Sequence, residues 1–413
     1  MDKRIYGLIG RSLLHSYSVP IHRALGNEAY ALYPLEPEAL GEFLLRKDVA
    51  GLNVTIPYKR DVMAYCAELD ETAREIGSVN TLVRREDGTL KGYNTDAYGF
   101  RYMAMRAGIS FADQKVVILG SGGSSLMVRY VAQRGGARQI VVVSRSGADH
   151  YGNLDRHADA QVLVNTTPVG TYPQTGEMPV DPALFPACEG VLDLVYNPRR
   201  TALLFRAREL GISCSDGLSM LVAQAKAAEE LFFGKAIADG ENERILRLLS
   251  QTMQNIVLIG MPGSGKSTVG EALARLTGRK MVDLDEQIAR AAGCSIPEIF
   301  THSGEAAFRK LEREQTQVWG RESGLILVTG GGVVKDERNY PALKQNGRLY
   351  EIRRDIALLA REGRPLSANA DLSDMLRERG PLYERFRDAR IANDALPEQA
   401  AEQIWQDFCD NAD

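Results

Sequence analysis

The stretch from Gly260 to Ser267 reads G-M-P-G-S-G-K-S and directly follows the apolar run Asn255 to Ile259. This order predicts a strand, a glycine loop and a helix N-terminus, where successive backbone N–H groups turn toward one anion. In such a loop Lys266 reaches the outer phosphates of ATP, and the Ser267 hydroxyl binds Mg²⁺. An ordinary strand-to-helix turn is the alternative, which the full eight-residue match disfavours. The predicted nucleotide-binding residues are Gly263, Ser264, Gly265, Lys266, Ser267 and Thr268.

The length and composition of the chain indicate two or three domains that bind small molecules. Its 413 residues are too many for one core, and hydrophobic residues make up 44% of them, as in globular α/β proteins. The formal net charge of −4 gives no reason to expect nucleic-acid or membrane partners. We therefore expect small-molecule substrates, and a homo-oligomer is compatible with the sequence.

The cysteines and the N-terminus favour a cytoplasmic protein. The five cysteines are scattered, without the paired spacing of a metal site or a disulfide framework. Met1 to Arg4 leads into an apolar run that is far shorter than the apolar region of a signal peptide. Because no apolar run approaches about 18 residues, the sequence predicts no transmembrane helix.

A second glycine loop lies in the first half of the chain. Residues 4–95 mix short strands with helical segments and include a predicted hairpin at Asp87-Gly88. The apolar run Lys115 to Leu119 then leads into G-S-G-G-S-S at Gly120 to Ser125, followed by a further helical segment. This order predicts the first strand–turn–helix unit of a dinucleotide-binding fold. For a lone glycine loop, a tight packing turn is the alternative.

The end of the next strand favours NADP over NAD. The strand Gln139 to Val143 ends in Ser144-Arg145-Ser146, where NAD sites usually have an acid that binds the ribose hydroxyls. A hydroxyl and a guanidinium suit a 2′-phosphate instead. The predicted NADP-binding residues are Gly120, Ser121, Gly122, Gly123, Ser124, Ser144, Arg145 and Thr167.

Five different short motifs are distributed along the first half of the chain. They read H-S-Y-S at His15 to Ser18, N-V-T-I-P-Y-K at Asn53 to Lys59, V-N-T at Val79 to Thr81, G-Y-N-T-D at Gly92 to Asp96, and D-G-x-x-M-L-x-x-Q at Asp216 to Gln224. On the basis of these motifs, the first half resembles shikimate dehydrogenase. The resemblance implies a catalytic pair, Lys59 and Asp96. It further implies that the following residues bind the substrate: Ser16, Ser18, Thr55, Lys59, Asn80, Asp96, Tyr196 and Gln224.

The residues themselves support such a reaction. A ketone that accepts a hydride develops negative charge on its oxygen, so a lysine–carboxylate pair can donate the proton and stabilise that charge. Taken singly, Lys59 would be a surface lysine and Asp96 a helix-capping aspartate. Their positions within five matched segments disfavour those alternatives.

The second half contains a motif set of its own. It reads D-L-D at Asp283 to Asp285, G-E-A-A-F-R at Gly304 to Arg309, T-G-G-G at Thr329 to Gly332, R-P-L at Arg364 to Leu366, and R-G-P-L-Y at Arg379 to Tyr383. On the basis of these motifs, residues 254–413 resemble shikimate kinase. The resemblance implies that Ser267 and Asp283 hold Mg²⁺ and that Asp285 is the catalytic base on the attacking hydroxyl. It also implies that Arg364 contacts the nucleotide phosphates, and that the substrate is bound by Asp285, Arg309, Gly330, Gly331, Gly332 and Arg379.

Together these observations predict an α/β protein with an N-terminal substrate domain, a Rossmann-like NADP domain and a P-loop kinase domain with a parallel sheet. The substrate domain spans residues 1–96 and 216–245, the NADP domain 97–215 and the kinase domain 254–413, with the polar segment Ala238 to Glu243 as the clearest boundary. The expected function is NADPH-dependent reduction of 3-dehydroshikimate to shikimate and phosphorylation of shikimate by ATP. Quinate oxidation by the first half and a nonenzymatic metabolite sensor are the alternatives.

Overall fold

The computed structural model describes residues 4–13, 16–356, 359 and 372–411. Over these residues the chain divides into two compact units. The first comprises Met1–Thr171, Glu177–Tyr196 and Ala202–Leu246, and the second comprises Tyr172–Gly176, Asn197–Thr201 and Arg247–Asp413. The three-domain division expected from the sequence stays a prediction.

The first unit contains a mixed sheet built from the N-terminal part of the chain. Its strands are β1 Ile5–Gly10, β2 Tyr30–Pro34, β3 Val49–Val54, β4 Cys66–Leu69, β5 Thr81–Arg84 and β6 Leu90–Tyr93, in the order β2-β1-β3-β5-β6-β4. Strand β1 pairs parallel with β2 and β3, whereas β5 is antiparallel to β3 and β6. The β5–β6 connection contains the predicted hairpin, where the Asp87 carboxylate accepts a hydrogen bond from the Thr89 backbone N–H at 2.8 Å. The helices associated with this sheet are α1 Ser18–Ala24, α2 Leu40–Leu45, α3 Glu71–Ile76, α4 Asp96–Arg106 and α7 Leu218–Phe233.

A second sheet of the first unit is parallel throughout. Its strands are β7 Lys115–Leu119, β8 Gln139–Val143, β9 Val162–Asn165, β10 Gly190–Asp193 and β11 Ser213–Ser215, in the order β11-β10-β9-β7-β8, with helices α5 Gly123–Arg134 and α6 Ala202–Glu209. Along β7, Val116 and Ile118 belong to one hydrophobic core, and Val117 and Leu119 belong to another. A strand that is buried on both faces reads as a continuous apolar run. The predicted Rossmann-like arrangement is confirmed.

The second unit contains another parallel sheet, as the P-loop assignment predicts. Its strands are β12 Asn255–Ile259, β13 Met281–Asp283, β14 Ile326–Val328, β15 Gly347–Arg353 and β16 Ala389–Ala392, in the order β13-β14-β12-β15-β16. Its helices are α9 Lys266–Thr277, α10 Leu284–Ala292, α11 Ile296–Gly320, α12 Asn339–Lys344, α13 Leu372–Phe386 and α14 Pro397–Asn411. Alternate residues of β12 pack into hydrophobic cores on opposite faces of the sheet. This central strand is followed directly by the glycine loop.

The polar segment predicted as a boundary is largely helical. Helix α8 spans Gly240–Met253 and includes most of that segment. Ile245, Leu249 and Met253 recur at four-residue spacing and are buried, which is the spacing of one helical face. Glu241 and Glu243 occupy the first turn, where negative charge complements the helix dipole. The boundary assignment rested on the polar residues, and it stays a prediction.

Across the described part of the chain, none of the helices combines the length and the apolar character needed to cross a bilayer.

Candidate active sites

A cavity of about 380 Å³ in the first unit brings together the residues predicted to bind the substrate that is reduced by NADPH. Its lining includes Ser16, Ser18, Thr55, Lys59, Asn80, Asp96, Tyr196 and Gln224. These residues come from distant segments of the chain, so the fold places every predicted substrate residue of this unit at one cavity. Ser124 of the second glycine loop lines the same cavity, so the predicted cofactor loop and substrate residues are adjacent. His15, from the first motif, lies outside the described residues.

Lys59 and Asp96 form an ion pair at this cavity. Lys59 Nζ lies 2.6 Å from Asp96 Oδ2, and the two side chains are 26% and 15% exposed. Asp96 is the first residue of α4, and Thr95 is its N-cap. Asp96 is therefore not the helix-capping residue that the alternative interpretation proposed. A carboxylate in the first helical turn is stabilised by the helix dipole. An ammonium group held by this carboxylate can therefore donate a proton to an oxygen in the cavity.

Two serine hydroxyls line another part of the cavity wall. The Ser16 hydroxyl donates a hydrogen bond to Ser18 Oγ at 3.1 Å, and the Ser18 backbone N–H donates to Ser16 Oγ at 3.2 Å. Ser18 is the first residue of α1. Adjacent hydroxyl donors suit a carboxylate, which accepts hydrogen bonds on both of its oxygens.

Asn80 and Gln224 meet inside the cavity although 144 residues separate them in the chain. Asn80 Oδ1 accepts a hydrogen bond from the Thr95 backbone N–H at 2.7 Å, which orients the amide. Asn80 Nδ2 then donates to Thr95 Oγ1 at 3.0 Å and to Gln224 Oε1 at 3.4 Å. Burial raises the pKa of Tyr196, so its phenol stays protonated and can donate a hydrogen bond.

The sequence predictions did not assign a role to one buried polar residue of the cavity, Asn53. Asn53 is 4% exposed, lines the cavity and accepts a hydrogen bond from the Tyr30 hydroxyl at 2.8 Å. Asn53 lies two residues before Thr55, and residues at this spacing share a face of a strand. That spacing was the available indication.

The predicted cofactor residues follow the carboxyl ends of three adjacent strands. Gly120 to Ser124 follows β7 and opens α5 at Gly123; Ser144 and Arg145 follow β8; Thr167 follows β9. Strand β7 pairs with both β8 and β9, so this edge is the switch point at which open α/β sheets bind ligands. Ser121, Gly122, Gly123 and Arg145 are exposed. A glycine loop with open backbone N–H groups beside an exposed guanidinium fits a dinucleotide with a 2′-phosphate.

A cavity of about 500 Å³ in the second unit contains most of the predicted kinase residues. Its lining includes Gly263, Gly265, Lys266, Ser267, Thr268, Asp283, Asp285, Arg309, Gly330, Gly331, Gly332 and Arg379. Ser264 is fully buried and does not line this cavity. Its backbone carbonyl instead accepts a hydrogen bond from Asn393 Nδ2 at 2.8 Å. Arg364 lies outside the described residues.

The glycine loop turns into α9 through a left-handed residue. Gly265 is the N-cap of α9 and has a φ of 89°. Glycine adopts this left-handed backbone conformation without the steric cost that a side chain would add. Lys266 Nζ donates hydrogen bonds to the carbonyls of Gly260 and Met261 at 2.9 and 3.0 Å. The lysine therefore lies across the loop, where its charge can neutralise phosphate oxygens.

The two predicted Mg²⁺ ligands are adjacent. The Ser267 hydroxyl donates to Asp283 Oδ2 at 3.1 Å, and Asp283 Oδ1 accepts from the Asp285 backbone N–H at 3.0 Å. A hydroxyl and a carboxylate are hard oxygen donors, which Mg²⁺ prefers. The donor set at the start of α9 and α10 therefore fits this ion together with nucleotide phosphates.

The glycine segment Gly330 to Gly332 lies between the nucleotide loop and the predicted substrate arginines. A Cβ atom at Gly331 would lie 2.6 Å from the Pro262 ring, so only glycine permits this close approach. The Gly331 carbonyl accepts hydrogen bonds from Arg379 at 2.9 Å and from the Tyr383 hydroxyl at 2.6 Å. These contacts hold the backbone beside the cavity.

Arg309 is oriented by a carboxylate that the sequence predictions missed. Its guanidinium donates to Glu312 Oε2 at 2.7 Å and to Glu305 Oε1 at 3.0 Å. Burial disfavours the charged guanidinium, but the two carboxylates outweigh burial and raise the pKa of Arg309. Burial raises the pKa of Glu312 against the opposing effect of Arg309. Glu312 lies three residues after Arg309 on α11, and that helical spacing was the available indication.

Comparisons with known proteins agree with this geometry. Residues 8–82 match the shikimate dehydrogenase substrate binding domain, and residues 262–409 match shikimate kinase. The shikimate dehydrogenase (NADP(+)) of Clostridium beijerinckii is 36% identical over 246 residues, which is 55% of this chain and 91% of that protein. The chain belongs to the shikimate dehydrogenase family. Because it also has a shikimate kinase domain, it is a bifunctional enzyme of the shikimate pathway, as predicted.

Solved structures of this family resemble the first part of the chain. A chorismate mutase/shikimate 5-dehydrogenase fusion protein from Clostridium acetobutylicum is 37% identical with a TM-score of 0.58, covering 60% of this chain and 97% of that chain. Shikimate 5-dehydrogenase from Thermus thermophilus, in complex with NADP(H) and shikimate, is 30% identical with a TM-score of 0.53, covering 58% and 97%. The family membership established by sequence therefore extends to the backbone fold.

Proposed function

We propose that the first unit reduces 3-dehydroshikimate to shikimate with NADPH, and that the second unit phosphorylates shikimate with ATP and Mg²⁺. The Lys59–Asp96 ion pair, which lies in a cavity beside the serine hydroxyls and the second glycine loop, is the observation that most supports the reduction. The hydroxyl that the reduction creates is the one that the kinase would phosphorylate. The product of one unit is therefore the substrate of the other.

In the reduction, bound NADPH supplies the hydride. Ser16 and Ser18 hold the substrate carboxylate through their hydroxyl groups, and Asn80 and Gln224 bind the ring hydroxyls. Lys59 donates its proton to the oxygen of the ketone as negative charge develops there, and Asp96 keeps the ammonium group in place. Arg145 pairs with the 2′-phosphate, which NADH lacks.

In the phosphorylation, Asp285 orients the attacking hydroxyl and accepts its proton. Arg309 and Arg379 bind the substrate carboxylate, for which the planar guanidinium is the best-matched cation. Lys266 neutralises the phosphate oxygens, while Ser267 and Asp283 hold Mg²⁺. The glycines at 330–332 allow the substrate ring to approach the backbone.

The test of this proposal is a substrate comparison on the purified full-length chain. We expect NADPH to be consumed with 3-dehydroshikimate and ADP to form with shikimate. Quinate with NADP⁺ is the comparison substrate for the first unit, and shikimate should give the higher kcat/KM. A higher kcat/KM with quinate would overturn the assignment of the first unit, and no ADP formation with shikimate would overturn that of the second.

A further inference from the structure

A run of buried polar side chains leads from α1 and α7 to the substrate cavity of the first unit. Its members are Glu229, His22, Tyr30, Asn53, Thr81 and Asn80, and none of them is more than 4% exposed. We call this set the buried polar chain. Only Asn53 and Asn80 among these side chains line the cavity.

The end that is distant from the cavity holds an aromatic stack. The Glu229 carboxylate accepts hydrogen bonds from His22 Nδ1 and, at 2.9 Å, from Asn27 Nδ2. The His22 ring lies flat against the Tyr30 ring, with centroids 3.6 Å apart and an interplanar angle of 6°. Burial lowers the pKa of His22, although the hydrogen bond to Glu229 opposes this shift. The His22 ring, held at Nδ1 by Glu229, therefore packs flat against the Tyr30 ring.

The direction of hydrogen bonding continues from Tyr30 to the cavity. Burial raises the pKa of Tyr30 well above its ordinary value, so its hydroxyl keeps its proton and donates to Asn53 Oδ1 at 2.8 Å. The Asn53 amide must then point its Nδ2 toward Thr81 Oγ1, at 3.1 Å. The Thr81 hydroxyl in turn donates to Asn80 Oδ1 at 3.1 Å. From Tyr30 to Asn80, each of these amide and hydroxyl acceptors is matched to a donor, as buried polar groups require.

The two amides at the cavity are not held equally. Asn80 has a second restraint, because Oδ1 also accepts from the Thr95 backbone N–H at 2.7 Å. For Asn53, Tyr30 is the donor that distinguishes Oδ1 from Nδ2, whose hydrogen bonds go to Thr81 and to the Asn80 carbonyl. Without the phenol, the Asn53 amide loses the 2.8 Å hydrogen bond that engages its Oδ1 and keeps its interaction with His22.

We propose that Tyr30 is a positioning residue for the reduction of 3-dehydroshikimate: it orients the Asn53 amide so that its remaining hydrogen-bonding capacity faces the substrate. The inference rests on the proposed function of the first unit. Tyr30 is 1% exposed and does not line the cavity, so it acts on the substrate through its neighbours. Of these, Asn53 accepts its hydrogen bond at 2.8 Å, and the Ser18 side chain also interacts with its hydroxyl.

The test uses Tyr30→Phe in the full-length protein, because this change removes the hydroxyl and keeps the ring that stacks on His22. We expect the KM for shikimate to rise about 10-fold, the scale of one buried hydrogen bond, while the KM for NADP⁺ stays within about twofold. Tyr33→Phe on the same strand is the matched control, because Tyr33 faces away from the buried polar chain and packs against Phe43. It should leave both KM values unchanged.

A double variant separates positioning from general destabilisation. If Tyr30 acts through Asn53, adding Tyr30→Phe to Asn53→Ala should change the KM for shikimate less than about twofold, since coupled residues are not additive. A loss of stability alone would lower the active fraction and leave KM unchanged. An unchanged KM in Tyr30→Phe, or full additivity in the double variant, would overturn the inference.

The wild-type protein distinguishes this inference from the proposed function. If the wild-type chain does not oxidise shikimate with NADP⁺, the proposed function fails and the inference fails with it. If the wild-type chain is active and Tyr30→Phe has the wild-type KM, the inference alone fails.

Discussion

Replacing Lys59 by alanine tests the assignment of the proton donor. The side chain forms one partly exposed ion pair with Asp96, at 2.6 Å. Exposed and half-exposed pairs contribute about 0.2–1 kcal/mol to stability, so the protein should stay folded. A general acid contributes at least about 10²-fold to the rate, which corresponds to about 2.7 kcal/mol of transition-state stabilisation. The expected effect on catalysis is therefore larger than the effect on stability.

Lys91 offers a matched control in the same unit. Its Nζ lies 2.6 Å from Glu68 Oε1 and its side chain is 26% exposed, like that of Lys59, but it does not line the cavity. Lys91→Ala removes a lysine and an ion pair of the same length without removing the proposed proton donor. We expect it to reduce 3-dehydroshikimate at close to the wild-type rate.

The assay follows NADPH absorbance with 3-dehydroshikimate for both variants, and ADP formation with shikimate in the same preparations. Kinase activity should match wild type in both, which shows that each preparation contains equal amounts of active protein. The reasoning is refuted if Lys59→Ala keeps kcat within a few-fold of wild type, or if Lys91→Ala loses as much activity as Lys59→Ala.

Three further predictions concern the nucleotide, cofactor and stability of the chain. Asp285→Asn should abolish ADP formation but leave ATP affinity unchanged in equilibrium binding, because the phosphate loop does not depend on it; a loss of ATP affinity would assign Asp285 to the nucleotide. Arg145→Ala should raise the KM for NADPH much more than that for NADH, and an equal rise for both would make Arg145 structural. A hydrogen bond from Arg338 lowers the pKa of Asp336 to about 2. The stabilisation from Asp336 is therefore present above its ordinary pKa near 3.8 and lost as the pH falls toward 2. In urea unfolding, Asp336→Asn should lower stability at pH 7 by about 1 kcal/mol. A difference from wild type that stays constant down to pH 2 would contradict this.

The parallel strands could be predicted well because burial on both faces leaves a simple pattern. The predicted bounds of Lys115 to Leu119 and Gln139 to Val143 coincide with β7 and β8. Helix α8 was missed because its first turn is polar and its apolar face becomes evident only over several turns. Amphipathic helices that begin with charged residues are easily mistaken for linkers when short windows decide.

The sites could be predicted in part for a similar reason. Residues within short motifs, such as Lys59 and Asp285, were predicted from the resemblance of those motifs to known families, and the structure places both at a cavity. Asn53 belongs to one of these motifs but was not assigned to the site, and Glu312 and Tyr30 lie outside them. The contacts of all three depend on which neighbours the fold supplies. His22 and Glu229 are 207 residues apart in the chain, and no local pattern indicates that they meet.

The central claim is that one chain reduces 3-dehydroshikimate and phosphorylates the product. The most direct measurement supplies purified full-length protein with 3-dehydroshikimate, NADPH, ATP and Mg²⁺, and records NADPH loss and ADP formation in one reaction. We predict that NADPH loss begins at once, that ADP formation follows after a lag, and that omitting NADPH prevents ADP formation. ADP formation that proceeds without NADPH, or NADPH loss without any ADP formation, would contradict the account.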